Sequence, residues 1–255
     1  MKDPVLDFYN ELAPFYHLIF EDWDKSIERQ GRVLNSLLEH QLGPGPHRIL
    51  DCACGIGTQA IGLAQHGHEV AGSDISAAAV ERAKREAELR GLKIRFVVSD
   101  MTSLAEVVDH NFDVVAALDN ALPHLTANHV EDAVRAMRSR LKQGGLLVAS
   151  TRDYDTLIRE QPTVQGPSFY GRPGQRRIVH QLWDWVDREH YVLHMYITSQ
   201  AGARWETQHF VSTFRCLLRD ELSNALRSAG FEEIRWRMPD ESGFYQPVVM
   251  ARWPS

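Results

Sequence analysis

The sequence predicts an α/β fold: a doubly wound, mostly parallel seven-stranded sheet carrying an inserted antiparallel β lid. Three observations predict it. Strand-like and helix-like segments alternate from 48 to 150. The first four strand-like runs of that region each end in polar residues, at Asp51, Asp74, Ser99-Asp100 and Asp119-Asn120. After 151 the alternation stops, and three successive strand-like runs precede a helix and two closing strands.

Residues 5–41 read as helical, because Phe8, Leu12, Phe15 and Tyr16 recur at three- and four-residue steps, as do Val33, Leu34, Leu37 and Leu38. Gly43-Pro44-Gly45-Pro46 breaks the chain before the first strand, Arg48-Ile49-Leu50-Asp51. The turn that follows holds Gly55 and Gly57, which lack a Cβ and let a ligand approach the backbone closely. A helix near 58–66 comes next. The second strand, 68–73, ends in Asp74, and Ser76 is placed to cap a helix near 76–90. Runs at 94–98 and 112–118 give the third and fourth strands. A helix near 128–141 and the Gly144-Gly145 turn lead to the fifth strand at 145–150.

Residues 161–174, with three prolines and three glycines, read as a loop. Antiparallel strands are expected near 177–187, 190–199 and 204–217. In the middle one, Tyr191, Leu193, Met195 and Ile197 alternate with His190, Val192, His194 and Tyr196. A helix at about 219–229 and strands near 231–237 and 246–253 return to the main sheet. The expected division is therefore a core of 1–150 and 218–255, in which 1–45 form a helical cover, and a lid of 151–217. Trp183, Trp185 and Trp205 are expected to pack the lid itself.

Composition bounds the function. With 255 residues, one α/β unit with an insertion is within reach. A net charge of −6 and dispersed basic residues argue against a nucleic-acid groove. No apolar run approaches the 18 or so residues of a membrane span. Met1-Lys2-Asp3-Pro4 carries no export signal, and three cysteines cannot close a disulfide framework, so a reducing cytoplasm is the expected location. Cys52-Ala53-Cys54 lacks metal-ligand spacing, and no metal is expected. A small molecule is the expected partner, and self-association is left open.

Asp74 lies about 20 positions beyond the glycine turn, where a carboxylate holds a ribose through its hydroxyls. A dinucleotide fingerprint would want a third glycine near 59 or 60, but Gln59 and Ala60 stand there. Asp51 at the mouth of the turn would repel a pyrophosphate and suit a cationic ammonium. Asp100 and Met101 would place a carboxylate at an adenine amino group and an apolar side chain on its ring. Just past the fifth strand, the Arg152 guanidinium can grip a carboxylate bidentately, unless it pairs with Asp153 or Asp155. Asn120 could meet the same substrate from the fourth strand, or satisfy backbone groups as a turn residue.

Together these features resemble the class I S-adenosylmethionine-dependent methyltransferases, with their Rossmann-like fold. Leu118-Asp119-Asn120-Ala121-Leu122-Pro123-His124 and Arg152-Asp153-Tyr154-Asp155 are similar to motifs of the glycine (glycine/sarcosine) N-methyltransferase group. The resemblance covers roughly residues 9–170 and the lid only in outline. It implies S-adenosylmethionine as cofactor, held by Asp51, Ala53, Gly55, Gly57, Asp74 and Ile75, with Asp100, Met101, Leu118 and His124 beyond them. Tyr9, Tyr16 and Arg29 would close over it, Arg29 meeting its carboxylate. His124 either touches the methionine end or caps the next helix. Asn120, Arg152 and Tyr170 would face the acceptor, although Phe169 competes with Tyr170 for that place. The implied reaction is N-methylation of glycine or a related small amino acid or amine. A natural-product O- or C-methyltransferase, using His124 or one of His180, His190, His194 and His209 as base, is the alternative. A non-catalytic S-adenosylmethionine sensor is another.

Overall fold

A computed structural model of the chain describes residues 4–254. The N-terminal segment is not one helix. Helix α1 (Pro4–Leu12) is followed by a 3-10 turn (Tyr16–Ile19) and then by α2 (Trp23–Leu42). Pro14 explains the break, since it has no N–H to donate and pushes the residue before it out of the helical region. Asp22 restarts the helix by accepting the Lys25 N–H at 3.1 Å.

The main sheet begins with β1 (Arg48–Asp51), α3 (Thr58–Gln65), β2 (Glu69–Asp74), α4 (Ala77–Leu89), β3 (Arg95–Val98) and β4 (Phe112–Ala117). Helix α5 (Ala127–Arg140) and β5 (Leu141–Ser150) complete its parallel part. Helix α7 (Arg219–Ser228), once α6 (Tyr154–Glu160) and the second sheet have intervened, leads to β10 (Glu232–Arg237) and β11 (Val248–Arg252), which are antiparallel. The order is β10-β11-β5-β4-β1-β2-β3, seven strands as expected. Chain order reverses between β1 and β4, which opens a crevice at their carboxyl ends.

Side-chain alternation builds a core on each face of this sheet. Ile49 joins Ile27, Leu34, Ile61 and Val80 from α2, α3 and α4. Leu50 joins Val115, Leu147, Val134, Met137 and Leu222 on the side of α5 and α7. Strands buried on both faces need such continuous apolar runs.

The second sheet is a four-stranded antiparallel ladder: β6 (Val164–Tyr170), β7 (Arg177–Trp185), β8 (His190–Ala201) and β9 (Arg204–Arg215). Strand β8 buries every second residue from Tyr191 to Ile197, the period-two pattern read from its sequence. The expected loop at 161–174 is corrected by β6. Its glycine and proline are accommodated because it is an edge strand and its pairing slips between Gln165 and Ser168. Strand β5 also starts earlier than expected, at Leu141, with its register against β4 shifting between Phe112 and Val114. Trp183 is buried in this sheet's core with Tyr191, Phe210 and Phe214. Trp205 is 47% exposed, so the expectation that it packs the sheet fails. Helix α6 (Tyr154–Glu160) and α1 close this third core from the side of the main sheet. No helix among the described residues is long and apolar enough to cross a membrane.

Candidate active site

The turn after β1 works through its backbone. Gly55 and Gly57 have φ of +51° and +92°, a region that disfavours side chains. The Gly55 N–H donates to Asp74 Oδ2 at 2.8 Å, and the Ser76 N–H donates to Asp74 Oδ1 at 2.9 Å. Asp74 is thus fixed at the end of β2 with one backbone donor on each oxygen. Ser76 caps α4 as expected, accepting the Ala79 N–H at 3.1 Å. Its hydroxyl also donates to Asn10 Oδ1 at 2.7 Å, which ties α1 to the rim.

Two cavities meet above the strand ends. The smaller, about 320 Å³, lies over the glycine turn. Ala53 and Gly55 form its floor and Asp74 with Ile75 one side; Asp100, Met101, Leu118 and His124 also line it. The larger, about 620 Å³, lies between the main sheet and the second sheet, and Arg152, Asn120, Tyr170 and Arg29 line it. Tyr9, Tyr16 and Asp119 are the described residues that face both. They form the shared wall.

Several expectations are corrected. Asp51 is fully buried and lines neither cavity. Burial raises its carboxyl pKa to about 7, and its Oδ2 has no hydrogen-bond partner among the described residues. Gly57 also lines neither cavity. A Cβ there would meet Ile61 Cδ1 at 3.1 Å and Ala83 Cβ at 3.3 Å, so close packing of α3 and α4 requires glycine. Arg29, expected at the cofactor, lines the larger cavity instead. Asn120 is committed inside the protein: its Oδ1 accepts the Arg152 N–H at 3.0 Å and its Nδ2 donates to the Tyr154 hydroxyl at 3.0 Å. It positions Arg152, and one Nδ2 hydrogen and one Oδ1 lone pair remain beyond these two bonds.

His124 does not cap α5; Thr126 does. The imidazole Nε2 is paired with the Tyr9 hydroxyl at 2.9 Å, and burial drives its pKa down to about 3. It is neutral across the physiological range. Phe169 turns outward and is 71% exposed, whereas Tyr170 faces the larger cavity with the Arg177 guanidinium 5.2 Å from its ring centre.

Arg152 does not pair with its acidic neighbours. Asp153 and Asp155 are both taken by Arg219 at the start of α7. The Arg152 guanidinium donates to the Tyr191 hydroxyl at 2.7 Å and lies over Trp183 and Phe214, 4.8 and 5.2 Å from their ring centres. Among the described residues it has no carboxylate partner.

These cavities sit where a family assignment can be tested. Residues 49–145 match the family profile of a methyltransferase domain. The glycine/sarcosine N-methyltransferase of Aphanothece halophytica is 31% identical over 150 residues, 55% of this chain and 54% of that protein. Residues 49–145 thus match a methyltransferase domain, and the chain is similar to class I methyltransferases. S-adenosylmethionine is the cofactor of that family. The chain is also 29% identical over 151 residues to the ubiquinone biosynthesis O-methyltransferase of Vibrio cholerae, 56% of this chain and 59% of that one. It spans about half the length of the curated relatives it matches. The sugar N-methyltransferase KedS8 from Streptoalloteichus shares the fold, with a TM-score of 0.76 at 18% identity over 94% of this chain and 93% of that one.

The residues of the smaller cavity fit this cofactor. Asp74 keeps lone pairs beyond its two backbone donors for a pair of ribose hydroxyls, and no phosphate-binding third glycine is present. Sequence reasoning set Asp119 at a polar strand end but assigned a role only to Asn120, and it assigned none to Tyr245, Gln246, Tyr154 and Tyr191. The Asp119 signal was local: consecutive acid and amide at a strand end, both able to adopt the left-handed region. The tyrosines lie far away in sequence, and only the fold brings them in.

Proposed function

We propose that the chain transfers a methyl group from S-adenosylmethionine to the amino nitrogen of glycine or a related small amino acid. The observation that carries this reading is Arg152, a guanidinium without a carboxylate partner facing the larger cavity across the shared wall. Its remaining N–H groups suit the bidentate grip of a carboxylate. Stacking on Trp183 and the Tyr191 bond hold it in one orientation. The cofactor supplies a methyl carbon already activated by its sulfonium. The protein's part is alignment, worth several kcal/mol when the reacting groups are held in line.

In this reading Asp74 binds the ribose, Asp100 and Met101 flank the adenine, and Ala53, Ile75 and Leu118 complete the nucleoside site. Tyr9 and Tyr16 close it from the N-terminal cover, and residues 151–217 act as the lid that shapes the acceptor side. Nitrogen as acceptor asks least of the site, since a neutral amine brings its own lone pair. His124, with a pKa of about 3, is a poor proton acceptor. His190 pairs with Asp187 at a turn, and His194 with His209 stack on each other. Of the expected bases in the second sheet, His180 alone lines the larger cavity.

The test is a product assay with glycine, sarcosine and larger α-amino acids, each set against the amine that lacks its carboxylate. Amino acids should be methylated and the decarboxylated amines left largely untouched. Arg152→Lys should lose about a hundredfold or more in kcat/KM, roughly 3 kcal/mol, because a point ammonium cannot reproduce the fork. Full activity in that variant, or equal turnover of amines lacking the carboxylate, removes the amino-acid reading. Cofactor binding without turnover of any acceptor would mark a sensor.

A further inference from the structure

Asp119 is the acidic side chain common to both cavities: Asp74 and Asp100 line only the smaller and Asp153 only the larger. Its placement is enforced. Asp119 and Asn120 are consecutive non-glycine residues with φ of +55° and +66°, a conformation that costs energy and persists only where surroundings hold it. The Asp119 N–H donates to Ser150 Oγ at 2.8 Å, and that hydroxyl donates to Gln246 Oε1 at 2.9 Å. The carboxylate accepts from the Tyr16 hydroxyl at 3.3 Å, from the Tyr245 hydroxyl, and from Gln246 Nε2 at 3.4 Å. All three donors are neutral. They aim the group, and no arginine or lysine forms an ion pair with it among the described residues; burial raises its pKa, while the Tyr245 bond and the charge of nearby Arg152 favour the carboxylate.

Methyl transfer moves a positive charge across this wall. As an acceptor lone pair forms the N–C bond, the C–S electron pair returns to sulfur and the cation passes from sulfur to nitrogen. A carboxylate in the wall favours whichever side is cationic and has nothing to hold once sulfur is neutral. We propose that Asp119 is a specificity-determining residue that reads this charge, selecting the sulfonium cofactor over its thioether product and so favouring exchange of spent cofactor for fresh. The inference rests on the smaller cavity being the S-adenosylmethionine site, and it needs no knowledge of the acceptor.

Calorimetric titration of the full chain with S-adenosylmethionine and with S-adenosylhomocysteine tests it. The wild type should bind the sulfonium at least about tenfold more tightly than the thioether. Asp119→Asn keeps an oxygen to accept from Tyr245 and Gln246, turns an amide N–H towards the Tyr16 oxygen, and should collapse that ratio towards one, with affinity for S-adenosylhomocysteine changing less than about twofold. Asp119→Glu should retain part of the preference. Equal affinities in the wild type, which can be read even if no variant folds, overturn the proposal. So does an Asp119→Asn variant that weakens both ligands alike, the mark of a merely structural role. Failure of the wild type to bind either nucleoside removes the cofactor reading itself, whereas binding without discrimination removes only the role of Asp119.

Discussion

Asp51 and Asp74 end the neighbouring strands β1 and β2, yet Asp74 lines the smaller cavity and Asp51 is fully buried and lines neither. Asp74→Ala removes the acceptor for two backbone N–H groups and the proposed ribose ligand. It should weaken S-adenosylmethionine binding by about 2–4 kcal/mol, the scale of charge-assisted bonds lost, and near-native affinity by calorimetry would refute the assignment. Asp51 carries an opposite expectation. Its folded pKa of about 7 lies above the ordinary 3.8, so the folded chain holds that proton longer than the unfolded one. The stabilising contribution is therefore complete below about pH 4 and is lost as pH rises towards 7. Asp51→Asn should stabilise the protein by about 1–3 kcal/mol at pH 8 and hardly at all at pH 4, read from thermal melts at both. The place of Asp74 on the cavity was legible because its spacing from the glycine turn is fixed by one helix and one strand. The burial of Asp51 was not legible, because nothing local distinguishes a strand-end acid on the rim from one beneath it.

Elements set the distances between these groups. Helices α2 and α3 approach so closely that a Cβ on Gly31 would stand 2.6 Å from the Gly62 carbonyl carbon, and one on Gly62 would stand 2.7 Å from the Ile27 carbonyl oxygen. Gly31→Ala must push backbone apart and should cost about 1–3 kcal/mol, seen as a lower denaturation midpoint with an unchanged slope. A variant as stable as the wild type would mean that the helices separate freely. Helix α7 has a comparable effect on chemistry. By presenting Arg219 to Asp153 and Asp155 it leaves Arg152 without an acidic neighbour, although the three lie within four residues of sequence. Strand β6 was read as loop because its proline and glycine are turn formers in isolation. Pairing to β7 overrides that preference at a sheet edge, where a missing N–H costs little.

On the scale of the molecule, the cofactor site draws on α1, the glycine turn, β2, β4 and the segment after it, so occupancy ties distant parts of the chain together. A ligand that binds only the folded state stabilises by mass action. S-adenosylmethionine at a hundred times its dissociation constant should add about 2.7 kcal/mol, or about 5–10 °C in Tm for a chain of this size. Scanning calorimetry of the wild type and Asp74→Ala side by side should show that shift in the first and little in the second. An equal shift in both would place the nucleoside elsewhere.

The sequence by itself determined the sheet, its seven strands, the glycine turn and the acid that follows it, because these depend on periodicity and short spacing. It also carried the arginine beyond β5. Only the tertiary structure decided how those groups are used. It turned Tyr170 inward and Phe169 out, committed Asn120 to Arg152 and Tyr154, moved Arg29 to the larger cavity, and brought Tyr16 and Tyr245 onto Asp119 from opposite ends of the chain. The physical reason is that a side chain's partners are fixed by packing between elements far apart in sequence, and no local pattern records which of them will meet.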